Sequence, residues 1–167
     1  MNKTKSLIDN YKSYVKNNKT LSGAGSNEST WGNVESHYSD LLFLNSIYQK
    51  GYSFLDIGSG AGQILMFAKQ IGYNVKGIEF NKAFKDVCDK NGLDVVYEDL
   101  MSINLDFIKN FDVIYYYRLF KKDVDNNKSL SHIVKNMKVG AIIKVKLTKF
   151  DFENFIETSN GTHKKIK

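Results

Sequence analysis

The sequence predicts an α/β protein with a doubly wound, mostly parallel sheet, helices on both faces and a closing antiparallel hairpin at its C-terminal end. From Ser53 onward, short apolar segments typical of strands alternate with amphipathic segments typical of helices, as in a parallel sheet with helical crossovers. The first strand-like segment runs into a glycine-rich loop that a helical segment follows, over residues 54–71. The last segment, residues 150–167, alternates around Ser-Asn-Gly, which is typical of a hairpin.

Two further helices are predicted before the sheet. Apolar residues recur at helical spacing over residues 5–17 and again from about residue 29 to residue 48. Between them, residues 20–30 are rich in Ser, Gly and Asn and are typical of a loop, in which Ser22–Ser26 is either a linker or a lid over a bound ligand. Trp31 is interpreted as a residue that docks the second helix.

Length and composition predict a single domain, residues 1–167, with N-terminal helices over 1–50 and a core over 51–167. The lone cysteine, Cys88, excludes an intramolecular disulfide and favours the reducing cytoplasm; we interpret it as a packing residue of a helix over 82–90. No apolar stretch approaches the roughly 20 residues that span a bilayer. The first residues lack the apolar segment of a signal peptide.

The net charge of +6 is compatible with nucleic-acid binding but does not favour it. Arg118 is the only arginine among 24 basic residues, whereas recognition of phosphates and bases favours the planar guanidinium group. Abundant lysine and asparagine without any proline are typical of an A/T-rich coding sequence, as in a phage or an A/T-rich bacterium. We therefore interpret the lysines as a solvated surface.

The glycine-rich loop predicts the class of ligand. Gly58, Gly60 and Gly62 alternate directly after an apolar segment that carries Asp56 near its end. Such glycines let a ligand approach the main chain, and the N-terminus of the next helix offers free N–H groups. A dinucleotide-binding loop would have its third glycine or alanine at the position of Gln63. Because an acid repels a pyrophosphate but suits a cationic amino-acid group, the loop favours S-adenosylmethionine over NAD.

Residues 54–147 resemble a class I S-adenosylmethionine-dependent methyltransferase, which has a Rossmann-like fold. The resemblance rests on five segments in order, namely 54–63, 74–79, 94–100, 111–120 and 137–147, with Val139 where proline is common. In that family an acid at the end of the second strand binds both ribose hydroxyls, which Glu79 matches, and an acid in the segment of the third strand binds the adenine amino group, which Asp99 matches. The cofactor-binding residues implied in this way are Asp56, Gly58, Ser59, Gly60, Gly62, Gln63, Glu79, Phe80, Asp99, Leu100 and Tyr115.

The resemblance places the acceptor site just after the fourth strand, where the sequence reads Tyr-Tyr-Tyr-Arg over residues 115–118. Tyr117 and Arg118 are the candidate catalytic residues. Alternation along a strand predicts that Tyr116 packs in the core while Tyr115 and Tyr117 point to the other face. The Asn-Pro-Pro-Tyr signature of enzymes that methylate amide or exocyclic amino nitrogens is absent.

The predicted function is in-line transfer of a methyl group from S-adenosylmethionine to an acceptor that the sequence does not identify. This reaction needs mainly alignment and exclusion of water, and alignment alone lowers a barrier by roughly 7–11 kcal/mol. It needs no metal, and the histidines His37, His132 and His163 are too scattered to predict a metal site. Two alternatives remain: a non-catalytic S-adenosylmethionine-binding protein or partner subunit, and a nicotinamide oxidoreductase, which Gln63 and Asp56 disfavour.

Overall fold

The computed structural model describes residues 3–17, 38–117, 119–120, 122–159 and 161–167. The loop predicted over residues 20–30, the first part of the second predicted helix and the catalytic candidate Arg118 lie outside these ranges. Trp31 and His37 also lie outside these ranges. Within the described ranges, no helix combines the length and the apolar character that crossing a membrane requires.

Helical segments and strands alternate from β1 to β5, as the sequence predicts. The α-helices of the described residues are α1 (Lys3–Asn17), α2 (Tyr38–Ile47), α3 (Gln63–Ile71), α4 (Lys85–Lys90) and α5 (Asp123–Asn136). Short 3-10 helices cover Lys82–Phe84 and Asp106–Asn110. The strands are β1 (Ser53–Ile57), β2 (Asn74–Glu79), β3 (Val95–Tyr97), β4 (Val113–Tyr117), β5 (Ile142–Lys146), β6 (Phe155–Ser159) and β7 (Thr162–Lys165).

These strands form one sheet in the order β3-β2-β1-β4-β5-β7-β6. β1 to β5 are parallel, whereas β7 pairs antiparallel with both β5 and β6. The predicted doubly wound sheet with a closing hairpin is therefore confirmed. The strand order reverses between β1 and β4, and ligands of such sheets bind at the carboxyl ends of the strands near this point.

Helices cover both faces of the central strands. Residues of α1, α2 and α3 pack on one face against Phe54, Val113 and Tyr115. Residues of α5 and of the second 3-10 helix pack on the other face, against Ile114 and Tyr116. Tyr115 does point away from Tyr116, as predicted, but the two are 1% and 0% exposed. The expectation that only one face of this strand is buried is wrong, because a central parallel strand has two buried faces.

The third predicted strand is shorter in the structure because a turn begins early. The segment predicted over 94–100 ends sooner because the Asp99 carboxylate accepts the Met101 N–H at 2.9 Å and starts a turn. The segment predicted over 137–147 as a turn and the fifth strand contains a turn at Gly140, with a φ of 85°, and then β5. At the third strand a side chain, rather than hydrophobicity, sets the boundary.

The closing hairpin of β6 and β7 packs on the face that α5 covers. The Phe150 ring stacks on His163 of β7 with a centroid distance of 4.0 Å and meets Phe155 of β6 edge-on at 5.1 Å. The pairing of β6 with β7 is interrupted by a register shift between Glu157 and Ser159. These aromatic contacts attach the end of the sheet to the main core.

Candidate cofactor site

The glycine loop after β1 is folded around the end of β2. Gly58, Gly60 and Gly62 have φ angles of 77°, 52° and 76°, which residues with a side chain rarely adopt. The N–H groups of Gly58 and Ser59 donate to the Ile78 carbonyl at 2.8 and 3.1 Å. The loop is thus fixed against β2 at the point where the strand order reverses.

The three glycines differ in what surrounds them. A side chain on Gly60 would meet nothing within 4 Å, whereas one on Gly58 would meet Leu119 and one on Gly62 would meet Leu93. Gly60 therefore lies at the open front of the loop, where a ligand can approach the main chain. Leu119, which follows β4, covers the Gly58 side.

Glu79, at the end of β2, joins the two loops at this edge of the sheet. One carboxylate oxygen accepts the Gly60 N–H at 2.8 Å, and the other accepts the Asn81 N–H at 2.7 Å. A carboxylate offers about four lone-pair sites, so these bonds leave capacity to accept hydroxyl groups of a ligand. The structure therefore brings the predicted acid and the predicted glycine loop into direct contact.

Asp56 lies on the same sheet face as Tyr115 and is 3% exposed. Burial, and secondarily the charge of Glu79, raise the pKa of Asp56 from 3.8 to about 8. Among the residues that the structure describes, none compensates this carboxylate with a hydrogen bond or an ion pair. Such an acid keeps its proton at neutral pH, and a cation placed beside it would lower the pKa and release that proton.

The other predicted cofactor residues lie near the same edge but differ in exposure. Phe80, directly after β2, is 74% exposed, and Asp99 is exposed in the turn after β3. Leu100 is buried in the main core, and Gln63 is the half-buried first residue of α3. Ser59 is 7% exposed, and its hydroxyl is without a hydrogen-bond partner among the described residues.

Tyr115 belongs to a buried polar cluster that the sequence did not predict. Its hydroxyl donates to Asp40 Oδ2 at 3.0 Å, and Lys146 Nζ lies 2.9 Å from the same oxygen. Burial, followed by the Asp40 charge, raises the pKa of Tyr115, so the hydroxyl remains a donor. In this structure Tyr115 therefore packs and donates a hydrogen bond within the core. The one sequence signal for Asp40 is an acid inside an apolar helix.

Tyr117, the catalytic candidate within the described ranges, is the last residue of β4 and is half-buried. Its ring packs at the margin of the core that α1, α2 and α3 share. It also lies opposite Lys146 of β5 in the parallel register. Tyr117 thus stands at the carboxyl edge where the acceptor site is predicted.

Asn126, which the sequence analysis missed, organises the loop after β4. Its Oδ1 accepts the Leu119 and Phe120 N–H groups at 3.0 and 3.1 Å and the Tyr116 hydroxyl at 3.0 Å. Its amide nitrogen donates to the Phe120 and Lys122 carbonyls at 2.7 and 2.9 Å. Because both polar atoms of this buried side chain are used, the backbone at Leu119, Phe120 and Lys122 is fixed to α5. The available signal was an asparagine on the buried face of a helix.

Tyr14 of α1 contacts the glycine loop at Ala61. Its hydroxyl donates to the Ala61 carbonyl at 2.6 Å, and this bond is buried. Helical spacing predicted α1 but could not identify the contact, because periodicity does not tell which element a helix docks on. The N-terminal helix is therefore part of the structure around the loop.

Comparison with known proteins gives one family match. The model of the family described as methionine biosynthesis protein MetW matches residues 38–157. No curated protein sequence matches the chain significantly. The match includes the glycine loop, Glu79 and β4, and it begins after α1.

Solved structures share the fold at low sequence identity. A protein of Methanococcus maripaludis assigned to the S-adenosylmethionine-dependent methyltransferases has a TM-score of 0.57 and 19% identity, over 83% of this chain and 62% of that chain. A hypothetical protein of Thermus thermophilus has a TM-score of 0.61 and 14% identity, over 84% and 88%. A TehB-like methyltransferase of Corynebacterium glutamicum has a TM-score of 0.54 and 17% identity, over 82% and 72%. The chain thus has this methyltransferase fold and spans less than two thirds of the Methanococcus protein.

Proposed function

The chain belongs to the MetW family by its match over residues 38–157, and from this premise we propose that it binds S-adenosylmethionine and transfers the methyl group to an acceptor. The acceptor would lie over the carboxyl ends of β4 and β5. The observation that carries the proposal is the 2.8 Å bond from the Gly60 N–H to Glu79, which puts an acid beside the open front of the glycine loop.

The residues at this edge fit the cofactor chemically. Asp56, buried and uncompensated, suits the cationic amino-acid part, and the Ser59 hydroxyl supplies a further polar group that lacks a partner among the described residues. Glu79 has free lone-pair sites for the ribose hydroxyls. Phe80 offers an exposed aromatic surface for the adenine ring, and Asp99 offers a carboxylate for the adenine amino group. When bound, the cofactor supplies an already activated methyl group on a sulfonium.

The remaining residues have positioning roles in this proposal. Asn126 holds the loop after β4, so Leu119 stays packed on Gly58 and excludes water from that side of the site. Tyr117 would orient the acceptor through its hydroxyl, together with Arg118, the next residue of the chain. Alignment of this kind lowers a barrier by roughly 7–11 kcal/mol, so an activated donor needs little further chemistry from the protein.

Calorimetric titration of the chain with S-adenosylmethionine and with S-adenosylhomocysteine tests the binding half of the proposal. We expect one site with micromolar affinity for each. Binding of NADH with no binding of either compound would overturn the proposal in favour of a nicotinamide oxidoreductase.

Incubation with S-adenosylmethionine labelled in its methyl group tests the transfer half. Pools of protein, nucleic acid and small molecules would serve as acceptors, and we expect label in one of them. Cofactor binding with no transfer to any pool would reduce the function to that of a non-catalytic binding protein or partner subunit.

A further inference from the structure

We propose that Tyr14 is a positioning residue of the cofactor site, whose hydroxyl holds the peptide between Ala61 and Gly62 so that docking of α1 and cofactor binding stabilise each other. The inference rests on the proposed function of the loop. It assigns a role to a helix that lies outside the family match, which begins at residue 38.

The peptide in question is held at both of its polar groups. Its carbonyl, from Ala61, accepts the Tyr14 hydroxyl at 2.6 Å, and its N–H, from Gly62, donates to the Ser59 carbonyl at 2.8 Å. Burial raises the pKa of Tyr14, which keeps the hydroxyl protonated as a donor. A Cβ built on Gly62 would lie 3.7 Å from the Tyr14 hydroxyl, so the tyrosine touches the loop where α3 begins.

This bond supports the loop independently of Glu79. The Glu79 carboxylate holds the Gly60 N–H at 2.8 Å, but the proposed function also gives it the ribose hydroxyls. Tyr14 acts from the buried side on the peptide between Ala61 and Gly62, two peptides further along the loop, and has no proposed ligand contact. The Tyr14 bond therefore keeps the loop in place while the Glu79 carboxylate shares its lone pairs with a ligand.

The same helix is docked on the element that follows the loop. Tyr11 of α1 meets Phe67 of α3 edge-on with a centroid distance of 6.0 Å, and Leu7 and Val15 belong to the same core cluster. Because α3 starts directly after Gly62, a shift of α1 moves both the helix and the loop. Ligand contacts that order the loop will therefore also stabilise the docked position of α1.

Tyr14→Phe compared with Tyr73→Phe isolates this role. The Tyr73 hydroxyl also makes a buried bond to a carbonyl, that of Leu44 at 2.9 Å, but it is not in the loop. Both variants lose one hydroxyl and keep the ring, so we expect similar decreases in melting temperature. S-adenosylhomocysteine affinity, measured by calorimetry, should fall about three- to tenfold in Tyr14→Phe and change less than about twofold in Tyr73→Phe.

Equal effects of the two variants on affinity, or no effect of Tyr14→Phe, would overturn the inference. A wild-type chain that does not bind S-adenosylhomocysteine would overturn the proposed function instead. Hydrogen exchange of the wild-type chain provides a test without variants, because saturation with S-adenosylhomocysteine should slow exchange in residues 3–17 as well as in residues 58–62. Protection of the loop with unchanged exchange in α1 would contradict the coupling.

Discussion

The Leu119 side chain lies against Gly58, so closely that a Cβ on this glycine would stand 2.1 Å from Leu119 Cδ2. Leu119 is held in turn by its N–H bond to Asn126 Oδ1 at 3.0 Å. The loop after β4 and the glycine loop after β1 are therefore packed together at the point where the strand order reverses. The two loops that the proposed reaction requires support each other.

Gly58→Ala should destabilise the protein by more than its backbone angle explains. An alanine at a positive φ costs about 1–2 kcal/mol, and displacement of Leu119 adds to this. Gly140→Ala is the matched control, because Gly140 has a φ of 85° and nothing within 4 Å of its Cβ position. Urea unfolding would measure the free energy of unfolding of both variants. In the double variant Gly58→Ala, Leu119→Ala, the part of the loss that comes from displacing Leu119 should disappear. Equal losses in the two glycine variants would refute the packing argument.

Asn126→Ala should lower the free energy of unfolding by at least about 3 kcal/mol, because it leaves several buried donors and acceptors without partners. Tyr116→Phe is the control, since it removes one bond to Asn126 and one to Ser129, and should cost about 1–2 kcal/mol. Chemical denaturation would measure both variants. A loss in Asn126→Ala no larger than that in Tyr116→Phe would show that the backbone bonds of the loop contribute little.

The free energy of unfolding of unliganded Asp56→Asn, relative to that of wild-type, should increase as the pH rises. The folded carboxyl keeps its proton up to a pKa of about 8, against 3.8 as its ordinary value, so the native state binds more protons than the unfolded chain between these values. Wild-type stability therefore falls with rising pH in this window, by at most about 1.4 kcal/mol per unit, and levels off above about pH 8.

The measurement is urea unfolding of wild-type and Asp56→Asn at pH 6 and at pH 8. The asparagine variant should gain up to about 2–3 kcal/mol relative to wild-type between the two conditions. Asp9→Asn, at an exposed position of α1, serves as the control and should show no such gain. A difference between wild-type and Asp56→Asn that does not change with pH would mean that Asp56 ionises normally in the fold.

Glu79→Gln should weaken S-adenosylhomocysteine binding roughly ten- to hundredfold, because bonds to a charged acceptor contribute about 1.5–3 kcal/mol. The glutamine keeps one oxygen that can accept the Gly60 N–H, so the loop should remain folded. Glu153→Gln, at an exposed position far along the chain, is the charge-matched control. Calorimetry with unchanged affinity in Glu79→Gln would remove the ribose assignment.

Phe80→Ala should leave stability within about 0.5 kcal/mol of wild-type, since its side chain is 74% exposed. If the ring covers adenine, S-adenosylhomocysteine affinity should fall about three- to tenfold. Val139→Ala, 62% exposed and in the turn before β5, provides the control for loss of an exposed apolar group. Thermal melting and calorimetry on the same samples separate the two effects. Normal binding by Phe80→Ala would leave this exposed ring without a role in the site.

The parts of the site that lie in one strand and its following loop were predictable from sequence. The alternating glycines need positive φ angles, and Glu79 ends the short strand β2, so their meeting at one sheet edge follows from the topology. The fold class follows from the same alternation. Cys88 was correctly predicted to be buried, because its helix position shares a face with Phe84 and Val87.

The parts that depend on docking between distant elements were not predictable. Tyr14 meets Ala61 across 47 residues of sequence, and nothing in the spacing of α1 specifies that partner. Tyr115 is buried on a face that alternation alone leaves undefined, and it meets Asp40 of α2 there. In the sequence Asn126 is indistinguishable from any other polar helix residue, because its role depends on the loop backbone that it contacts. Tertiary packing decides all three.

The register shift in the closing hairpin bears on how readily the end of the sheet can pair with a strand of another chain. β6 is the last strand of the sheet order, and the end of a sheet is a template on which a strand of another chain can pair. The shift between Glu157 and Ser159 interrupts the regular spacing of β6, and Glu157 adds an exposed charge at the same place. The sheet therefore ends in a strand whose irregularity disfavours edge-to-edge aggregation.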